Sequence, residues 1–125
     1  MALGKLIADY SYKAISTTYT PGPGNALTQQ INYQGSGTGE LAGVAQGTLI
    51  VVAEAGAKSG NWSWCGVSYL NSGDIVGATA QGTWETSGKH QWRLRGTAHF
   101  SDGRIAATEG EANLETLTGK LSEWS

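Results

Sequence analysis

Hydrophobic and polar residues alternate with a period of two along most of the chain, the spacing of strands that bury one face. Leu6, Ala8, Tyr10 and Tyr12 open a first strand over residues 6–19, which the Pro21-Gly22-Pro23-Gly24 turn stops. A second strand over residues 26–33 continues into Gly35-Ser36-Gly37-Thr38-Gly39. Residues 40–45 read as a loop with room for a short helical turn, and residues 46–54 as a third strand. Residues 61–100 then form the stretch around which the chain is organised. Strands over 61–70, 76–85 and 90–100 follow one another as hairpins, and they hold four of the five tryptophans and both histidines. Ser101-Asp102-Gly103-Arg104 carries the clearest hairpin signal, an Asp-Gly pair suited to a two-residue type I′ turn. A seventh strand follows from residue 104 to about 114, and residues 120–124 add an eighth. The expected fold is all-β: a single eight-stranded antiparallel up-and-down barrel, calycin-like, occupying residues 1–125 as one domain.

Glycine sharpens that picture. There are 19 glycines in 125 residues, dispersed among threonines and aromatics as turns and strand kinks would require. An x-Gly-Thr pattern recurs at Gly37, Gly47, Gly82 and Gly96, with Gly110 as a variant, and Gly82, Gly96 and Gly110 are spaced fourteen apart. The spacing places one glycine near the middle of each strand, where barrel closure needs a bend.

Charge and motifs exclude more than they select. A formal net charge of −2 without a basic run argues against nucleic acid as a partner. The Gly35–Gly39 loop lacks the lysine of a phosphate cradle, and no long helix follows it. Residues 1–13 carry Lys5 and Asp9 and have no apolar core of signal-peptide length, and the longest apolar run, residues 49–53, is too short to span a membrane. We therefore expect a cytoplasmic protein. The lone Cys65 excludes an internal disulfide and a cysteine-based metal site, and it reads as a buried structural residue. His90 and His99 fall on opposite faces, so no metal site is expected.

Two-residue turns at Ser72-Gly73, Ser87-Gly88 and Asp102-Gly103 would put Tyr69 opposite Val76, Glu85 opposite His90 and Phe100 opposite Ile105. One face then collects Trp62, Trp64, Gln81, Glu85, His90, Trp92, Leu94, Phe100, Glu109 and Glu111. We assign it to the lumen because it holds most of the large aromatic surface. Val67, Tyr69, Val76, Ala78 and Ala80 would form an outer apolar stripe, the mark of a homo-oligomer.

The stretches Gly35-Ser36-Gly37-Thr38-Gly39-Glu40-Leu41-Ala42-Gly43 and Ser72-Gly73-Asp74-Ile75-Val76-Gly77 resemble signatures of small uncharacterised barrel domains related to the allene oxide cyclase barrel. The resemblance implies a compact, cofactor-free barrel with an apolar lumen, in a group that includes ligand binders and cyclases of hydrophobic substrates. It carries over no catalytic residue.

Two functions follow as expectations. In the first, Trp62, Trp64, Trp92, Leu94, Phe100 and Gln81 wall a pocket for one small hydrophobic or aromatic molecule. In the second, a cofactor-free isomerase or cyclase uses Glu109 or Glu111 as its acid or base, made usable by desolvation in the lumen. The alternative for these two carboxylates is that they face solvent and balance Arg93 or Arg95.

Overall fold

The computed structural model describes residues 4–125; Met1, Ala2 and Leu3, part of the leader segment weighed above, lie outside the described residues. Eight strands run in sequence order: β1 (Leu6–Pro21), β2 (Ala26–Gly39), β3 (Gly43–Glu54), β4 (Ser59–Leu70), β5 (Ile75–Gly88), β6 (Gln91–Phe100), β7 (Ile105–Asn113) and β8 (Thr118–Trp124). Each pairs antiparallel with the next, and β8 returns to β1, so the sheet closes into an up-and-down barrel. Closure pairs β1 with β8 through Lys13, and β1 runs on past that pairing to Pro21. Residues 40–42 form a turn with no helical segment, and no helix of the described residues is long and apolar enough to cross a membrane.

The hairpins correct the expected register. Between β4 and β5, Leu70 N–H bonds to Asp74 O and Gly73 N–H to Leu70 O, with Gly73 at φ +99°. That is a three-residue loop, a type I turn followed by one left-handed residue, and Phe100, Gly103 and Arg104 repeat it between β6 and β7. The Asp-Gly pair therefore closes a three-residue loop instead of a two-residue one. Between β5 and β6, Lys89 and His90 turn the chain, and an irregularity between Thr86 and Gly88 adds the extra residue.

Each addition shifts the pairing by an odd step, so the face assignment is wrong in β5, right again in β6 and wrong in β7. In the structure Tyr69 faces Ile75, Glu85 faces Arg93 and His99 faces Ile105. Even-numbered positions of β4 through β7 point inward. Val76, Ala78 and Ala80 therefore lie on the inner face while Val67 and Tyr69 point out, which dissolves the predicted outer stripe.

The inner face is packed by aromatic rings lying flat on glycines. Gly82 and Gly96 oppose each other on β5 and β6, and the Trp62 indole spans both, its Nε1 donating to the Thr83 and Arg95 carbonyl oxygens at 3.0 and 3.2 Å. A Cβ on Gly96 would sit 2.7 Å from Trp62 Cζ2, and one on Gly47 would sit 2.2 Å from Trp64 Cζ2. The strands also approach closely here, since a Cβ on Gly82 would come within 1.8 Å of the Arg95 carbonyl oxygen. Mid-strand glycine thus serves the bend and the ring above it together.

The outer surface of β5 to β8 is charged. Cross-strand neighbours run Glu85, Arg93, Glu111, Lys120 in alternating sign, a favourable arrangement for opposed side chains and the reverse of what lipid-facing strands carry.

Candidate functional site

Because eight strands enclose an interior that side chains nearly fill, any space left there stands out. A cavity of about 70 Å³ remains within the barrel, bordered by Tyr10 and Tyr12 of β1, Tyr33 of β2, Leu49 of β3, Trp62, Trp64 and Ser68 of β4, Leu94, Ala98 and Phe100 of β6, and Leu121 and Glu123 of β8. Four of the aromatic rings form a connected cluster: the Tyr12 centroid lies 5.3 Å from Trp64, 5.6 Å from Tyr10 and 6.0 Å from Tyr33. Such tilted and offset contacts hold rings in fixed orientation.

Four of the six predicted ligand-binding residues border this space: Trp62, Trp64, Leu94 and Phe100. Trp92 is inside but away from the cavity, stacked on Trp84 with centroids 4.5 Å apart. Gln81 is outside, exposed between Ser63 and Thr97, because the three-residue β4–β5 loop reversed the facing of β5.

The two predicted catalytic carboxylates are outside for the equivalent reason on β7. Glu109 lies 3.8 Å from Arg95 Nε, and Glu111 is exposed, opposite Arg93 on one side and Lys120 on the other. Both side chains lie among the surface charges of the outer face, although Glu111 also borders the cavity. Cys65 is exposed, so the expectation of a buried cysteine is also corrected. His90 meets Glu115 at the β5–β6 turn, with Lys89 3.8 Å from the same carboxylate. Among the described residues no His, Cys, Asp and Glu group has the numbers to hold a metal ion.

The carboxylate that does reach the lumen is Glu123. Four residues, 114–117, separate the last pair of β7 from the first of β8, so odd-numbered residues of β8 face in: Gly119, Leu121 and Glu123. Glu123 is 3 % exposed, and burial pushes its pKa up from 4.5 to about 7, with the Tyr10 hydroxyl and the Arg104 guanidinium pulling the other way. Its Oε1 makes no hydrogen bond among the described residues. Directly across on β7 is Thr108, also buried, whose Oγ1 is equally without a partner. The tyrosines respond to the same surroundings. Burial raises Tyr33 to about 12 and moves Tyr10 and Tyr12 further still, the charge of Glu123 adding to the effect on those two.

One end of the lumen is closed by the β2–β3 turn, which folds inward and buries Leu41. The Glu40 N–H bonds to Ile7 O at 2.7 Å, and Asn71 N–H to Ala42 O at 2.9 Å. Above it Glu40 receives Lys5 at 3.5 Å and Arg104 at 3.3 Å, while Arg104 also pairs with Asp102 at 2.8 Å and lies 5.5 Å over the Phe100 ring. A larger hollow of about 390 Å³ lies on the outer surface over β4 to β6, but its Glu85 and Arg93 already oppose each other. Among the described residues the lumen combines aromatic walls with an unpaired polar group.

Sequence reasoning missed Tyr10, Tyr12, Tyr33, Ser68 and Glu123. The alternation in β1 and the shared facing of Leu121 and Glu123 were the available signals. No family model matches the chain, and neither a curated protein nor a solved structure matches it, so the cavity itself has to carry the functional argument.

Proposed function

We propose that the protein binds one small, largely apolar molecule inside the barrel. The observation that carries this reading is the partly open cavity of about 70 Å³ in the barrel interior, walled by Tyr12, Trp62, Trp64 and Phe100. An apolar cavity in a close-packed interior forfeits dispersion contacts that an occupant would restore. Its size limits the occupant. At about 70 Å³ it admits a small molecule, and a larger one requires the rings to move apart.

Titration with short-chain alcohols, amines and hydrocarbons, followed by tryptophan fluorescence and by side-chain NMR of the lumen aromatics, tests the proposal. Saturable shifts confined to Trp62, Trp64 and their neighbours are expected. No response to any probe would overturn it.

Glu123 favours a second reading, a cofactor-free isomerase or cyclase, in line with what a resemblance to the allene oxide cyclase barrel would imply. A carboxyl near pH 7 is matched to general acid or base work at neutrality, worth about 10²–10⁴ in rate. Turnover of a small hydrophobic substrate would then show a pH limb near 7 and vanish in Glu123→Gln with binding retained.

A further inference from the structure

One corner of the cavity is chemically unlike the rest. Glu123 projects into it from β8, Ser68 from β4 and Tyr10 from β1, and the unpartnered Thr108 hydroxyl stands beside Glu123 on β7. A buried acceptor left without a donor costs about 1–3 kcal/mol, and more when it is charged, so native proteins rarely retain one that nothing meets. A lone carboxylate among hydroxyls falls well short of the oxygen set that a calcium or magnesium ion requires.

The nearest cation does not fill the role. Arg104 stands at the mouth, committed to Asp102 and Glu40, and Lys5 joins Glu40 there, so two bases and two acids balance one another. Glu111 and Lys120, which also border the cavity, face each other across the outer wall. Among the described residues Glu123 is therefore a buried carboxylate with no ion-pair partner in contact, Arg104 acting on it only from a distance, and it sits among aromatic rings whose faces attract cations.

Building on the lumen-binding reading, we propose that the ligand is a short primary amine, its ammonium group donating to the Glu123 carboxylate and its alkyl chain lying among Tyr12, Trp64 and Phe100. Carboxylate and phosphate ligands are excluded by the same charge.

Calorimetric titration of the full chain with n-butylamine, n-butanol and butyrate between pH 6 and 8.5 tests the assignment. Of the groups facing Glu123, Tyr10 and Tyr12 on β1 stay neutral over this range, Arg104 stays cationic, and Ser68 and Thr108 do not ionise, so Glu123 alone changes charge. Butylamine should bind at least about tenfold more tightly than butanol at pH 8 and lose about tenfold on going to pH 6, where Glu123 holds its proton. Butyrate should not bind. Glu123→Gln should bind the amine no better than the alcohol, with no pH dependence; the pH series on the unaltered protein tests the same point should that variant fail to fold. Butanol binding as tightly as butylamine at every pH overturns the amine assignment and leaves lumen binding standing. If none of the three binds, the lumen reading falls and the amine with it.

Discussion

Two parts of one interior follow opposite rules. Around Trp84 and Trp92 the lumen is solid: the rings stack at 4.5 Å, and Trp84 Nε1 would touch a Cβ on Gly60 at 2.9 Å. Around Glu123 the same barrel keeps an empty volume, a buried acid and an unpaired hydroxyl. The first part reads as stability, because every aromatic face meets a neighbour. The second gives up packing, which a fold does where something else is to be accommodated; unpaired buried polar atoms occur in both, Trp84 Nε1 in the first and Glu123 Oε1 and Thr108 Oγ1 in the second. Substitutions in the two parts should therefore separate folding from function.

The largest effects belong to the packed part. Gly82→Ala forces a methyl group into the Arg95 carbonyl, where backbone must move, and should cost about 3 kcal/mol or more. Trp92→Ala removes one ring of the stack and should cost about 3–5 kcal/mol. Urea unfolding measures both, with the slope unchanged. A loss under about 1 kcal/mol in either case would mean the interior is looser than its glycine floors imply.

Next comes the acid. Below pH 4.5 Glu123 is protonated whether folded or not. As pH rises toward about 7 the unfolded chain ionises first while the folded protein keeps its proton, so stability falls through this window and levels off above it. The span corresponds to about 3 kcal/mol. Urea midpoints at pH 4 and pH 8 should show the wild type losing that much relative to Glu123→Gln, which lacks the group. Parallel curves for the two proteins would place Glu123 in contact with water.

How much of this could be read from the chain depends on which quantity the residues encode locally. All eight strands were legible, because alternation and turn residues are short-range signals. Trp62, Trp64, Leu94 and Phe100 were legible as lumen residues because they are large and lie on strands whose assigned facing was correct. Facing on β5 and β7 was not legible, since it hinges on one residue per loop. Ser72-Gly73 and Asp102-Gly103 fit a two-residue turn as well as the last two positions of a three-residue one, and a single step turns Gln81, Glu109 and Glu111 from inside to outside. Glu123 was hidden differently. Its strand is short, and Trp124 beside it is the residue that draws attention.

The mouth should matter less than either part of the interior. Arg104→Ala removes ion pairs that are partly solvent-exposed, which are worth about 0–1 kcal/mol, so the unfolding midpoint should barely move. The turn that buries Leu41 loses its tie to the β6–β7 hairpin, however, and ligand exchange measured by NMR line shape should become faster. Unchanged exchange would place the entry route elsewhere.

Smallest of all should be the pair that the alternation in β7 first singled out. Glu109 and Glu111 share a face, but that face is the outer one, with Arg95 3.8 Å from Glu109 and with Arg93 and Lys120 opposite Glu111. Replacing both by glutamine keeps shape and hydrogen-bonding capacity while removing two screened surface charges. The stability change should stay within about 0.5 kcal/mol, shrinking further in salt. Affinity for any lumen ligand, and its pH profile, should match the wild type, because neither carboxylate points into the cavity. A binding loss in this double variant, with Glu123→Gln left unaffected, would reverse the inside and outside of β7. It would return the site to the two residues that a two-residue turn had put there.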